Sequence, residues 1–539
     1  MNSGVENIGE LLRRLETRGV RLSLENGEIR FQAPAGALSA QELSYLKTRR
    51  QQIFAYLNAE HVLSPHRPIQ PRPAGCPVPL TARQLQVWNW LGTQPSRDSL
   101  RIGYVSMRIN GPLQIALLRA SMDSVIQRHE SLRTQIVETD GIPQQHVVGI
   151  RNCKLDLIDL SNLPETAFEA TVRHLSEEFI LQRISLSDDP LFAALLLTHS
   201  NDDGVLIIAM EHMICDGYSI EIASREIWTV YRRLAIGLKP ELSELSVQFP
   251  DYAVWQQETY EAWMTAHSAY WLQHLSGVTP TRLPFSPTSD EFDFRMGSLE
   301  MISFGKELSL QIHRVAQQNK TMPALAVLMM YAVVMRWWCA NSDLLIGISS
   351  NGRNRPQLVD MVGWLAGPLY LRLQIPEGAC FLDLLTHVSH EFTQASLHYD
   401  FNHVPALIPE CKTEIYFNWT PIFLRASQYT GYPWIGDDSL VIQPFSLEVP
   451  RPLEFLPFFF DDSAGITLRI EYRRDRFSPE YIREFAQRLL ATARQFVANP
   501  SARIASIEAS TNSFLSNHKH KQTSDSTFPG CDTNASVGR

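Results

Sequence analysis

The side chains best suited to chemistry lie in residues 210–219, which read Met-Glu-His-Met-Ile-Cys-Asp-Gly-Tyr-Ser. They follow an apolar run, residues 205–209, that predicts a buried strand, and they precede a stretch that predicts a helix. His212 is the candidate acid–base group, because an imidazole titrates near neutral pH. Asp216 could turn back to His212 or pair with an arginine, and Gly217 leaves room for a substrate close to the backbone. By itself, the pattern also fits a buried histidine, a helix-capping aspartate and a turn glycine.

The rest of the sequence supplies the elements that must position this segment. Helical periodicity is present at 113–129, 219–236, 251–275, 307–319, 323–338 and 480–498, and strand patterns are present at 102–110, 191–199, 205–211, 343–349, 412–419 and 465–472. This mixture predicts α/β sandwich lobes between residues 79 and 500, without setting their number.

Residues 1–58 are predicted to form a small module of a helix, a hairpin, and one or two further helices. Apolar residues recur at helical spacing in residues 8–15 and 43–57, and strand alternation on both sides of Asn26-Gly27 predicts the hairpin. Residues 59–78 are predicted to be a linker, because a proline-rich chain is extended and semi-rigid. Residues 501–539 are polar and predict a disordered tail.

Composition excludes several classes of protein. The 539 residues carry 57 acidic side chains against 48 Lys and Arg, a net charge of −9, which argues against a nucleic-acid partner. Seven cysteines are scattered without a Cys-x-x-Cys pair, so neither a disulfide framework nor a metal site is predicted. The longest apolar run, residues 324–335, is too short to span a bilayer. We therefore expect a soluble, cytoplasmic protein with no membrane partner.

Six segments, in family order, resemble the condensation domains of nonribosomal peptide synthetases. They are Pro79-Leu80-Thr81-Ala82-Arg83-Gln84 with Trp88; Arg128-His129-Glu130-Ser131-Leu132-Arg133-Thr134; the His212 segment; residues 249–256 with Tyr270-Trp271-Leu272; residues 346–363; and Phe417-Asn418 with Tyr472 and Asp475. The resemblance covers residues 79–500.

The resemblance implies a fold and a reaction. The fold would be two α/β lobes shaped like chloramphenicol acetyltransferase, residues 79–245 and 246–500, meeting in a V-shaped pseudo-dimer with the active site at the junction. Carrier proteins would insert phosphopantetheine arms from opposite faces, so no cofactor bound to this chain is expected. An acceptor amine would attack a donor acyl or peptidyl thioester and form an amide bond. His212 would act on the amine, either as general base or by orienting it and stabilising charge in the tetrahedral intermediate.

Roles for further residues also come from the resemblance. Asp216 would be structural, held in an ion pair by Arg353, with Arg355 as the second candidate, and Gly217 would support the same turn. A carboxylate so paired stays ionised. Ser219 and Asn418 would line the substrate tunnel.

The sequence departs from the family pattern at one position. The usual motif is His-His-x-x-x-Asp-Gly, and Glu211 replaces its first histidine. We expect this position to be structural, with the carboxylate accepting hydrogen bonds from the backbone or an arginine. Glu211, Asp216 and Ser219 also imitate the Asp-x-x-x-x-Asp-x-x-Ser motif of heterocyclisation domains, although His212 and Gly217 favour the amide-forming type.

The N-terminal module resembles the docking domains of the tubulysin-synthetase type. The likeness lies in Gly19-Val20-x-Leu22, Gly27-x-Ile29-Arg30 and Ala33-Pro34-x-Gly36-x-Leu38. In that family the hairpin edge captures a C-terminal segment of an upstream synthetase by strand addition. Arg18, Arg21 and Arg30 would suit an acidic segment.

No carrier-protein motif and no adenylation domain is found in the sequence. We therefore expect a stand-alone condensation enzyme that receives its donor from a carrier in trans. The acceptor could be a free amine, which would make the enzyme chain-terminating, or an aminoacyl group on another carrier. An ester-forming variant, a coenzyme A-dependent acyltransferase and an inactive scaffold are the other interpretations.

Overall fold

The computed structural model describes most of the chain. The described residues are 20–25, 28–32, 68–92, 98–100, 103–149, 152–285, 297–398, 413–420, 440–445 and 454–504, with isolated positions at 38, 46, 408 and 447.

The predicted N-terminal hairpin is confirmed. Strands β1 (Arg21–Glu25) and β2 (Glu28–Gln32) pair antiparallel, with Glu25 opposite Glu28. This register leaves Asn26-Gly27 as the two-residue connection, the dipeptide that tight hairpins prefer. The helices predicted at 8–15 and 43–57 lie outside the described residues.

The helices of the remaining chain agree with the sequence periodicity. They are α1 (Ala82–Leu91), α2 (Ile115–Arg128), α3 (Glu165–Ile180), α4 (Gly217–Ala235), α5 (Phe249–His274), α6 (Lys306–Gln318), α7 (Pro323–Trp338), α8 (Phe381–Leu397) and α9 (Pro479–Ala498). The six predicted helices are all present, with ends shifted by two residues at most. Helices α1, α3 and α8 were not predicted.

The strands are likewise close to the predicted ones, with several additions. They are β3 (Val78–Pro79), β4 (Asp98–Leu100), β5 (Gly103–Asn110), β6 (Thr134–Thr139), β7 (Ile142–Val147), β8 (Lys154–Asp159), β9 (Arg183–Ser185), β10 (Phe192–Ser200), β11 (Asp203–Met210), β12 (Gly297–Ser303), β13 (Asp343–Ser350), β14 (Gly367–Gln374), β15 (Tyr416–Thr420), β16 (Val441–Pro444), β17 (Phe455–Asp462) and β18 (Gly465–Arg473).

The first lobe is built on a five-stranded sheet in the order β16-β5-β11-β10-β8. Helices α2 and α4 cover one face, where Met122 and Ile227 pack with Ile208 of β11. Helix α3 covers the other face, where Phe168 packs with Ile207. Because both faces of the sheet are covered, the whole run from Val205 to Met210 is buried, which is why it reads as continuously apolar.

The second lobe is built on a six-stranded mixed sheet in the order β12-β18-β17-β15-β13-β14. Helices α6, α7, α8 and α9 pack against it, and α7 lies at the centre of their core. Leu328, Met329 and Tyr331 of α7 are all fully buried, so this helix is apolar around most of its circumference.

Two features of the fold depart from the contiguous domain limits predicted above. Strand β16 belongs by sequence to the second lobe, yet it pairs with β5 at the edge of the first sheet, with Ile442 opposite Ile109. The predicted linker also contributes to the second lobe: Ile69 is buried in its core, and Arg72 binds Asp251 at 2.7 Å. Both departures are long-range contacts, which local sequence patterns do not encode. The domain limits otherwise stay predictions.

Hydropathy within the described ranges identifies no single helix that is long and apolar enough to cross a membrane. The bent pair formed by α6 and α7 passes the same test of length and composition, with an angle of 106° between its two helices.

Candidate active site

The loop between β11 and α4 carries the predicted acid–base group. Strand β11 ends at Met210 and α4 begins at Gly217, so His212 lies on a short connection between two packed elements. Asp216 is the N-cap of α4, and its side chain accepts a hydrogen bond from the backbone N–H of Ser219. The cap satisfies a free donor of the first helical turn and fixes where the loop ends.

The imidazole of His212 is held in one tautomer. Its Nδ1 lies 3.0 Å from the carbonyl oxygen of Cys215. A carbonyl oxygen only accepts hydrogen bonds, so Nδ1 carries the proton and, in the neutral ring, Nε2 carries the lone pair. The half-buried ring also lies 5.2 Å from the ring of Trp364, at an interplanar angle of 35°. His212 therefore combines a fixed orientation with a basic nitrogen.

Glu211 points into the protein and takes part in the loop structure. It is 2% exposed, and its Oε2 accepts a hydrogen bond from the backbone N–H of Met213. The expectation that a carboxylate at this position accepts from the backbone is thus met. The thiol of Cys215 donates a hydrogen bond to the Glu211 carbonyl oxygen. The pKa of this thiol is raised well above its ordinary value, mainly by burial and secondly by the charge of Glu211. The thiol is therefore not a nucleophile at neutral pH.

Asp216 joins the two lobes. Its carboxylate receives two hydrogen bonds from Arg353, at 2.9 and 3.0 Å, so the ion pair expected from the sequence is present. The backbone N–H groups of Leu365 and Ala366 also donate to Oδ2, at 3.0 and 2.9 Å. Burial alone would raise the pKa of Asp216, but the charge and hydrogen bonds of Arg353, together with the hydrogen bonds from Ser219, hold it below its ordinary value.

Ser219 belongs to this bridge, and its assignment to a substrate tunnel stays a prediction. The side chain is fully buried, and its hydroxyl donates to Asp216 while it accepts from Arg353 and from the N–H of Gly363. Gly363 has no space for a side chain, because a Cβ there would overlap the ring of Phe249. The second arginine candidate, Arg355, lies over the Trp255 ring instead, at 4.6 Å.

The other matched segments surround the loop and support it. Gln84 of α1 donates to the carbonyl oxygen of Met213 at 2.6 Å. Ser131 donates to the carbonyl oxygen of Val362 at 2.8 Å, which ties the first lobe to the strand-connecting loop of the second. Sequence reasoning did not assign a role to Trp364, although it directly follows the matched segment 346–363.

A further titratable group lies on α4. Glu221 is one turn after Gly217, and Gly217 itself is exposed with open space where a side chain would point. Burial, only partly offset by the charge of Arg225, raises the pKa of the Glu221 carboxyl to about 7. The loop and first turns of α4 therefore carry both an imidazole and a weakly acidic carboxyl.

The remaining predicted residues lie away from this loop. Asn418 is in β15 and donates to the carbonyl oxygen of Pro457 at 2.9 Å, so its role beside a substrate stays a prediction. Arg30 is exposed on β2 of the N-terminal hairpin. For Arg21 the structure describes only the backbone, which lies in β1. Arg18 lies outside the described residues.

One group among the described side chains has the donor atoms for a metal ion. Glu165, His199 and Asp203 place their ligand atoms within 4.8 Å of one another. Arg108 already binds Asp203 at 2.8 Å and Glu165 at 3.1 Å, and thereby supplies positive charge to the cluster. Asp203 begins the strand that ends before His212, so this ion-pair network lies at the opposite end of β11 from the candidate site.

These features define a two-lobed α/β protein with a histidine loop braced across its lobes, and comparisons with known proteins identify the family. The family model of the condensation domain matches residues 78–514, and that of the TubC N-terminal docking domain matches residues 8–58. Since the first match spans more than half of the chain, the protein belongs to the condensation-domain family.

Similar proteins include synthetases much longer than this chain. Phosphinothricin tripeptide synthetase PhsC of Streptomyces viridochromogenes is 26% identical over 441 residues, which are 81% of this chain and 40% of that protein. Isonitrile lipopeptide synthase of Mycobacterium tuberculosis is 26% identical over 463 residues, which are 81% of this chain and 18% of the relative. The chain therefore spans less than half the length of these relatives.

Solved structures show the same fold. The X-domain from teicoplanin biosynthesis superimposes with a TM-score of 0.70 at 21% identity, covering 81% of this chain and 99% of that one. The condensation domain of the enacyloxin polyketide synthase, described as mediating chain release, gives a TM-score of 0.62 at 18% identity, covering 92% and 98%. The two-lobed fold expected from the resemblance to condensation domains is thus confirmed.

Proposed function

We propose that this protein forms an amide bond between an acyl or peptidyl thioester on a carrier protein and an amine. The observation that carries the proposal is the geometry of His212, whose Nδ1 is anchored to a backbone carbonyl so that Nε2 can accept a proton. Family membership supports the same reaction. The amine acceptor is a free molecule or an aminoacyl group on a second carrier.

The reaction balances as a simple acyl transfer. The amine nitrogen attacks the thioester carbonyl carbon and forms a tetrahedral intermediate. Nε2 of His212 takes a proton from that nitrogen, the carbon–sulfur bond breaks, and the proton passes to the departing phosphopantetheine thiolate. The products are an amide and a free thiol on the donor arm. The Asp216–Arg353 ion pair fixes the position of the loop that carries His212 while the substrates react.

The donor is delivered in trans by an upstream synthetase. The TubC-type module at residues 8–58 supports this assignment, and β2 presents Arg30 to solvent. We propose that the hairpin edge adds a strand from the C-terminal segment of that synthetase, with arginines binding acidic side chains.

Substitution Arg30→Glu should raise the dissociation constant for an acidic C-terminal peptide several-fold. The difference should shrink at high salt, as isothermal titration at two ionic strengths would show. Equal affinity at low salt would contradict this role.

Reconstitution with a loaded carrier tests the reaction itself. The full chain is incubated with an acyl-phosphopantetheinyl donor carrier and a panel of amines, and mass spectrometry follows both the free thiol carrier and the new amide. We expect amide product and carrier thiol in equal amounts. Consumption of the thioester without amide, or no consumption with any amine or aminoacyl carrier, would contradict the proposal.

A further inference from the structure

One aromatic ring links the guanidinium of Arg83 to the imidazole of His212. The Cζ of Arg83 is 5.6 Å from the centroid of the Trp364 ring, and the same ring is 5.2 Å from that of His212. Arg83 lies in the first turn of α1 in the first lobe, whereas Trp364 precedes the residue whose N–H binds Asp216. Packing from both lobes therefore holds a cation against the aromatic ring that also packs with His212.

The positive charge of Arg83 has no carboxylate partner among the residues that the structure describes. The Nη1 of Arg83 donates to the neutral amide oxygen of Gln86 at 2.8 Å. Its Nε is buried and has no hydrogen-bond acceptor among these residues. The first turn of α1 contains no acidic residue either. Arg353, by contrast, is neutralised by Asp216. A partly buried cation without a counter-charge is suited to bind an anion.

We propose that Arg83 binds a carboxylate on the acceptor, so that the preferred amine is a free amino acid. This inference rests on the proposed function. A guanidinium recognises a carboxylate with two parallel charge-assisted hydrogen bonds, and the contact with the Trp364 ring restricts where the guanidinium of Arg83 can lie. An aminoacyl group on a carrier has its carboxyl carbon in the thioester and lacks this charge. Arg83 therefore favours a free acceptor over a carrier-bound one.

Matched acceptors test this role. Wild-type protein and Arg83→Gln are supplied with the loaded donor carrier and with amino acids or their methyl esters, including α-amino acids and longer ω-amino acids. We expect the wild-type preference in kcat/KM for acid over ester to fall about 10- to 100-fold in Arg83→Gln, since one charged interaction is lost. Comparing the same ratio between two proteins cancels the intrinsic difference in reactivity of the two amines.

Two further variants separate charge from geometry. Arg83→Lys should keep part of the preference, because lysine retains the charge but not the planar pair of donors. Arg233→Gln is the matched control: this arginine also lies on a helix of the first lobe, but it pairs with the exposed Glu241. The control should keep the wild-type preference. Circular dichroism melting of each variant shows whether the fold is intact.

The outcomes distinguish the failure of this inference from that of the proposed function. If Arg83→Gln lowers turnover of acids and esters by the same factor while the KM for the donor carrier rises, the bound anion is the phosphate of the donor arm and the inference is overturned. An unchanged acid preference also overturns it. If wild-type protein joins no acceptor at all, the proposed function fails; products without an acid preference overturn only the role of Arg83.

Discussion

His212→Ala should reduce amide formation by about 10²- to 10⁴-fold, the usual contribution of a positioned acid–base group. The side chain is half-buried, and its contacts include an uncharged backbone carbonyl and an indole ring, so its removal should leave the fold intact. His212→Asn is the sharper variant, since its amide nitrogen takes the place of Nδ1 and can still donate to the Cys215 carbonyl, but the amide cannot accept a proton at neutral pH. Both losses should appear in single-turnover rates measured with loaded carrier.

A surface histidine provides the control for this prediction. His174 on α3 is 69% exposed in its side chain, and His174→Ala should keep wild-type turnover. Equal amide yield and rate from wild type and His212→Ala would exclude proton transfer by this imidazole. If neither protein forms product above the uncatalysed rate, the result would favour the interpretation that the chain is an inactive scaffold.

Asp216→Asn should lower the free energy of unfolding by about 3–5 kcal/mol, as expected when one partner of a buried ion pair is removed. The substitution keeps the volume of the side chain but leaves the guanidinium of Arg353 buried without a counter-charge, since that side chain is only 3% exposed. It also weakens the hydrogen bonds from the Leu365 and Ala366 N–H groups. Urea denaturation followed by tryptophan fluorescence measures the change.

The same carboxylate predicts a pH dependence with a defined sign. Burial raises the pKa of Asp216, but Arg353 and the donated hydrogen bonds outweigh burial, so the pKa in the folded state lies below the unfolded value of about 3.9. A lowered pKa contributes stability that is fully present above the unfolded value and is lost as the pH falls through the folded value. The stability difference between wild type and Asp216→Asn should therefore be constant at neutral pH and shrink below about pH 4.

An exposed ion pair between α4 and the second lobe is the control. Arg225 and Asp360 are 2.8 Å apart but 42% and 50% exposed, so Asp360→Asn should cost at most about 1 kcal/mol. If Asp216→Asn were no more destabilising than Asp360→Asn, the bridge between the lobes would not have the structural role assigned to it. A double variant, Asp216→Asn with Arg353→Met, should recover part of the loss, because it removes the unpaired buried charge.

The sequence by itself predicted the local elements well. The hairpin of β1 and β2, the buried strand β11 and the amphipathic helix α4 follow from alternation, turn chemistry and apolar spacing, which act over a few neighbouring residues. The loop that joins β11 to α4 was found in the same way. The partner of Asp216 came from resemblance to a family and not from physics, because Arg353 is 137 residues away along the chain.

Tertiary packing alone decided the rest. The docking of the second lobe buries the Ser219 hydroxyl against Arg353 and Gly363, contacts that the sequence did not predict. Strand β16 pairs with β5 of the first sheet. The Trp364 ring packs against both the His212 imidazole and the Arg83 guanidinium. These contacts join segments that are far apart along the chain. The packing of the two sheets and their helices determines which of these segments meet. Local propensity carries no information about such encounters, so the elements were predictable from the residues, whereas their meeting at His212 was expected only through the resemblance to a family.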